Sequence, residues 1–199
     1  MKLKNGLNLI MNKLLLILIL TLSFQSWTKA DDIRDFEIEG ISVGDSALDY
    51  FTKNEIDNSG KIYFPNSKRF FQTEMNGNFK EYESITIALE EIDKKYIIHQ
   101  ITGVLNFPHS IEKCLAKQKL IKEEISLSFP NIIPDNYEFI YPKDKTGNSK
   151  STVSDFTFDI GEIRVWCSDW SIEGYSDVVQ VALSSEVFKK FIETEAYKY

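Results

Sequence analysis

The stretch Ser110-Ile-Glu-Lys-Cys-Leu-Ala-Lys-Gln-Lys-Leu-Ile-Lys-Glu-Glu-Ile-Ser-Leu-Ser-Phe129 decides the fold, because it is the clearest helix pattern in a chain otherwise punctuated like a set of strands. At about 100° per residue, Ile111, Cys114, Leu115, Gln118, Ile121, Ile125 and Phe129 share one side and form an apolar stripe that a sheet should cover. Lys117, Lys119, Lys122 and Glu124 lie away from its centre. Ala116, Leu120 and Leu127 fall nearly opposite the stripe. A second layer of the same chain, such as the N-terminal segment, is expected to cover them, the alternative being a partner surface.

Before this helix, residues 62–75, 84–89 and 95–105 are rich in aromatic and β-branched residues and read as antiparallel strands, with residues 90–95 as a hairpin connection. Phe36 to Glu39 alternates like a short strand, and Gly40 to Ser46 turns into a helix that Asp45 or Ser46 caps and that continues through Tyr50 and Phe51. After the helix, residues 142–151 are the most polar part of the chain and are expected to be a mobile surface loop open to proteolysis. Residues 153–158, 162–170 and 177–183 follow as strands, and a terminal helix over about 185–197 places Val187, Phe188, Phe191 and Ile192 on one side. Runs of strands parted by isolated helices predict an α+β fold: an antiparallel sheet with the helix of about 110–129 on one face and a C-terminal helix. No G-x-G-x-x-G and no P-loop argues for a nucleotide fold.

At the start of the chain, Lys2, Lys4 and Lys13 precede an apolar run from Leu14 to Leu20, and a polar stretch closes on Thr28-Lys29-Ala30. That is the layout of a secretory signal peptide over residues 1–30, with an apolar run shorter than the roughly 20 residues of a membrane span. No cysteine near the cleavage site is placed to carry a lipid. Met11 is a plausible true start, since residues 11–30 hold a complete signal. Residues 31–199 are expected to form a single α+β domain that is periplasmic or secreted, with no integral membrane segment after cleavage. Removing Lys2, Lys4, Lys13 and Lys29 and no acidic residue moves the net charge from −7 to −11. Such a chain repels phosphate backbones, so no nucleic-acid partner is expected.

The exported part has two cysteines, Cys114 in the apolar stripe and Cys167 on the strand parity of Ile163 and Val165. A helix laid on a sheet brings those two faces together, so a Cys114–Cys167 disulfide is expected in an oxidising compartment. The alternative is a Cys–His nucleophile using His99 or His109. Trp166, Asp169, Trp170 and Tyr175 gather aromatic surface and a carboxylate near a strand end and form the candidate binding surface, unless a covering layer makes them a second core. Asp155, Asp159, Glu162, Asp169 and Asp177 supply carboxylates for a hydrolase, but no catalytic motif singles out a pair. Glu55-Ile-Asp-Asn-Ser-Gly60 echoes the start of a calcium loop and departs from it at Pro65 and Asn66, so a turn into a strand is preferred. No cofactor and no metal site is expected.

The segments Asp32-Ile-Arg-Asp-Phe-Glu-Ile-Glu-Gly-Ile-Ser-Val-Gly-Asp-Ser46 and Arg164-Val-Trp-Cys-Ser-Asp-Trp170 resemble small exported proteins of AT-rich marine alphaproteobacteria, a resemblance that implies a periplasmic setting and brings no activity. The Gly40-to-Ser46 turn, with short helical pieces and strands after it, is also similar to BamE-type outer-membrane assembly lipoproteins, from which the chain differs in lacking a lipobox cysteine and in the half after Pro108. Together these readings predict a non-enzymatic binding or interaction module of the cell envelope, with an envelope protein as partner. The alternatives are a secreted hydrolase using acidic residues or His99, and a small-ligand or sugar binder using Trp166 and Trp170. Protein recovered from the cell envelope should begin at Asp31 on N-terminal sequencing; a product retaining Met1 or Met11 would refute the cleaved signal.

Overall fold

The computed structural model describes residues 32–142, 144–171 and 175–197. The signal peptide expected over residues 1–30 lies outside them. The chain builds one sheet from two antiparallel meanders. The first comprises β1 (Ile62–Phe64), β2 (Ser67–Met75), β3 (Ser84–Glu90) and β4 (Ile98–Phe107). The second comprises β5 (Asp135–Ile140), β6 (Lys150–Phe158), β7 (Gly161–Asp169) and β8 (Asp177–Ser185). Between them runs the long helix, Ile111–Ser128; with the short Lys53–Asn58 helix as α1 it is α2, and the C-terminal Glu186–Phe191 helix is α3. The last strand of each meander pairs with the other from Gln100↔Ser184 to Phe107↔Asp177, giving the eight-strand order β1-β2-β3-β4-β8-β7-β6-β5. The α+β class and the antiparallel sheet are therefore as expected.

One face of this sheet is the main core. Phe71 and Met75 of β2, Ile85 and Ile87 of β3, Ile101 of β4, Ile163 and Val165 of β7, and Val179, Val181 and Leu183 of β8 are all buried there. The stripe of α2 packs on the same face with Cys114, Gln118, Ile121, Ile125 and Phe129 buried. Gln118 is polar in an apolar position, and its amide is satisfied by donating to the Thr152 carbonyl at 2.7 Å and the Val165 carbonyl at 3.2 Å. The N-terminal segment covers the core with Ile33, Ile38, Ile41, Val43, Ala47 and Ile56. Two glycines are required by close approach. A Cβ on Gly103 would stand 2.5 Å from the Tyr82 ring, and one on Gly161 would stand 2.1 Å from the Ser184 carbonyl oxygen.

Cys114 and Cys167 form the expected disulfide, with Cα atoms 5.9 Å apart across 53 positions of sequence. It joins α2 to β7, so the thiol-nucleophile alternative is excluded at these residues.

Several local expectations are corrected. Phe36–Glu39 is no strand: Glu39 and Gly40 turn with positive φ, leaving only an Ile38–Ile41 bridge. Ser46 caps a single turn over Ala47–Asp49, because the Asp45 carboxylate is used by the Ser42 N–H and the Tyr50 hydroxyl. Thr52 and Glu55 then close a capping box on α1, so Glu55 serves a helix start rather than an ion. Residues 62–75 split into β1 and β2 around Pro65. Leu115 is 39% exposed, at the rim of the stripe. Ala116, Leu120 and Leu127 are exposed as well, Leu127 at 82%, because the N-terminal segment packs on the sheet and not on the back of α2. The sequence reading missed β5, whose six residues are all exposed on a sheet edge.

Non-reduced digests should yield a Cys114–Cys167 cross-linked peptide pair. Replacing both cysteines by serine should lower the unfolding free energy by about 4 kcal/mol in the chain-entropy model, read as a lower urea midpoint. Two free thiols in the purified protein would contradict the bond.

Candidate functional site

The other face of the sheet carries the residues of opposite parity and is only half covered. Register places Phe70 and Gln72 of β2, Gln100 of β4, Ala182 and Ser184 of β8, Glu162, Arg164 and Trp166 of β7, Asp155 and Val153 of β6, and Tyr137 of β5 on this side. Ser185 ends β8 and caps α3 by accepting from the Phe188 N–H, which sends the helix back across the first meander. There Phe188 and Phe191 bury themselves against Phe64, Phe70 and Ala88, with ring centroids 4.8 to 5.8 Å apart. That aromatic cluster covers the β1–β3 half. Over the second meander α3 reaches β7, where Lys189 lies beside Glu162, and it leaves Tyr137, Phe139 and part of Arg164 exposed.

A cleft of about 250 Å³ opens there, walled by Tyr137, Phe139, Tyr141, Val153 and Trp166 and floored by Arg164, Glu162, Gln100 and Ser184. A second compartment of about 320 Å³ shares those four floor residues and continues under α3 to Lys189 and Tyr197. Arg164 is fixed by a two-pronged bond to Asp155, Nε to Oδ1 at 2.7 Å and Nη2 to Oδ2 at 2.8 Å. This pairing holds the guanidinium firmly protonated. Tyr137 donates to the same carboxylate at 3.0 Å. Glu162, with only 10% of its side chain exposed, lies 3.5 Å from both Arg164 and Lys189. A row of amides completes the floor, Gln72 donating to Gln100 at 2.8 Å and Gln100 to Ser184 at 2.9 Å.

Of the surface expected from sequence, Trp166 lies in the cleft wall, on the side opposite the cysteines as its parity required. Trp170 is outside the lining but stacks on Tyr141 at 4.2 Å and 28°, with Tyr175 a further 5.3 Å away. Asp169 has the parity of Cys167 and is not brought to the cleft. Tyr137, Phe139 and Tyr141 were missed. Their alternation in Tyr137-Glu-Phe-Ile-Tyr141 was the available signal, masked by the polar segments around it.

The hydrolase candidates are dispersed. Asp155 and Glu162 are tied to cations, and Asp177 is buried and accepts from the Trp170 N–H. His99 meets the Ser185 hydroxyl at 3.2 Å and stands edge-on to Phe70 at 5.0 Å, where burial lowers its pKa and keeps it neutral at pH 7. It does not line the cleft. His109 sits with positive φ in the turn before α2. Among the described residues no group of three His, Cys, Asp or Glu side chains could hold a metal ion, and no helix is long and apolar enough to cross a membrane.

At its described residues the polar segment expected to be a mobile loop is hydrogen-bonded around Tyr141 and Asp144. The Tyr141 N–H donates to the Ser149 carbonyl, and the Asp144 N–H to the Tyr141 carbonyl, each at 3.1 Å. The Asp144 carboxylate accepts from the Thr146 and Ser149 N–H groups and from the Thr146 and Ser171 hydroxyls. Comparison with family models, curated proteins and solved structures finds no match to this chain.

The bonds from Thr146 and Ser149 hold the Asp144 carboxyl well below the usual carboxylate range. The stability it adds is thus fully present above the unfolded-state value of about 4 and is lost as pH falls toward the depressed folded value. Asp144→Asn should lower the thermal midpoint at pH 6, and the gap from the parent should narrow by pH 2; an unchanged gap would refute this role.

Proposed function

We propose that the chain is an exported, non-enzymatic binding module of the cell envelope whose site is the cleft on the uncovered half of the sheet. The observation that carries this reading is the division of one sheet face into an aromatic half sealed by α3 and an open half whose aromatic walls surround a hydrogen-bonded polar floor. Small-molecule sites combine apolar walls with a few fixed polar groups in this way. Arg164 is held by Asp155, whose carboxylate also accepts from Tyr137, so the floor is set before anything binds, which reduces the ordering cost of binding. The carboxylates beside the cleft are engaged by cations and His99 is spent on the start of α3, which favours binding over hydrolysis. A periplasmic setting is supported by the signal-like N-terminus and by the disulfide, which an oxidising compartment maintains.

A second reading has its own observation. Ala116, Leu120 and Leu127 leave an apolar strip on the outer side of α2, and such a strip suits an envelope protein as partner.

The two readings separate by NMR. Residues 31–199 contain two tryptophans, Trp166 and Trp170, so two indole N–H signals report on the cleft and its rim. A fragment library screened by ¹⁵N spectra should give hits that shift the Trp166 indole together with the backbone signals of Tyr137, Val153 and Arg164, and the backbone shifts should be lost in Trp166→Ala. Hits confined to Leu120 and Leu127 would overturn the cleft reading in favour of the helix surface.

A further inference from the structure

We infer that the cleft takes an uncharged carbohydrate of at least two rings, an assignment that rests on the cleft being the binding site. Charge is the first discriminator. At the floor Asp155 and Glu162 face Arg164 and Lys189, two carboxylates against two cations, and Glu193 at the α3 end adds a further negative charge. An anionic ligand would meet cations already engaged in a chain whose net charge is −7, and −11 without residues 1–30. A cationic ligand would have to displace Arg164 or Lys189 from Glu162. A neutral ligand meets neither penalty.

Polarity is the second discriminator. A purely apolar ligand would strip water from Glu162 and Arg164 and return no hydrogen bonds, at a cost of several kcal/mol per ion. Hydroxyl groups avoid this, since each both donates and accepts. Glu162 is ion-paired yet keeps acceptor capacity, since Arg164 and Lys189 stand at 3.5 Å, within ion-pair reach but beyond the 2.7 to 2.9 Å of a charge-assisted hydrogen bond. The Gln72–Gln100–Ser184 row adds amide and hydroxyl groups along the same line.

Shape is the third. Trp166 and Tyr137 present aromatic surface at one end and Tyr197 at the other. A pyranose ring has an apolar C–H face and a rim of hydroxyls, and so suits an aromatic wall beside a polar floor. The two compartments share their floor, and their volumes together fall in the range of small-molecule sites, ~300–1,000 Å³. One ring against Trp166 and the next over Glu162 and Ser184 fills both.

The test is isothermal titration calorimetry of the intact exported protein with maltose, cellobiose, lactose and N,N′-diacetylchitobiose, with glucose 6-phosphate and inorganic phosphate as anionic probes. At least one neutral disaccharide should give a saturable change. Trp166→Ala should abolish binding and Glu162→Gln should weaken it by about tenfold or more, as expected for the loss of a charged acceptor. Glu123→Gln on the outer side of α2 should leave it unchanged. Tighter binding of either anionic probe overturns the neutral-ligand assignment. Failure of all four disaccharides, with library fragments still shifting the Trp166 indole, overturns the carbohydrate class and leaves the cleft standing. Failure of fragments and sugars alike overturns both.

Discussion

The ladder between β4 and β8 is the interaction on which the rest of the molecule depends. It joins strands some 80 residues apart, from Gln100↔Ser184 to Phe107↔Asp177, and it turns two four-stranded meanders into one sheet. Each meander is built from local hairpins that close cheaply. The central pairing has to overcome the loop-closure entropy of all the chain between them. Once it forms, Val179, Val181 and Leu183 of the second meander meet Ile101 of the first over a common face. The apolar stripe of α2 then has a surface wide enough to cover.

The disulfide reinforces that arrangement from the core side. α2 connects the meanders, and its Cys114 reaches β7, one strand beyond the central pair. The bond thus ties the crossover helix to the second meander at the point where the helix must lie for the core to be sealed. The N-terminal segment completes the same layer, and the outer side of α2 stays open to solvent.

The opposite face owes its asymmetry to the last residues of the described chain. Ser185 ends β8 in the middle of the sheet, and the helix it caps lies over the central strands with its phenylalanines turned to the first meander. Phe188 and Phe191 find Phe64, Phe70 and Ala88 there. The second meander offers instead Arg164, Glu162 and Asp155, which cannot be buried under an apolar helix without their partners. Burial of one half and exposure of the other therefore follow from the same strand parity, applied to two meanders of different composition.

Periodicity by itself determined much of this protein: the α2 stripe through Cys114 and Phe129, the parity that set Trp166 opposite Cys167, the strands later seen as β3, β4, β6, β7 and β8, and the facing positions of the two cysteines. These are local properties, fixed by the 3.6-residue and two-residue repeats of helix and strand. Strand order was not legible, because the pairing of β4 with β8 is chosen by packing between distant segments. Nor was the edge strand β5, where exposed Tyr137 and Phe139 read as loop until Ser151 and Val153 of β6 lie beside them. The cleft needed both: Arg164 becomes a fixed floor only when Asp155 arrives opposite it from β6, and the space beside it stays open because α3 turns Phe188 and Phe191 to the first meander. Tertiary structure decided these features, since each depends on residues that sequence spacing does not relate.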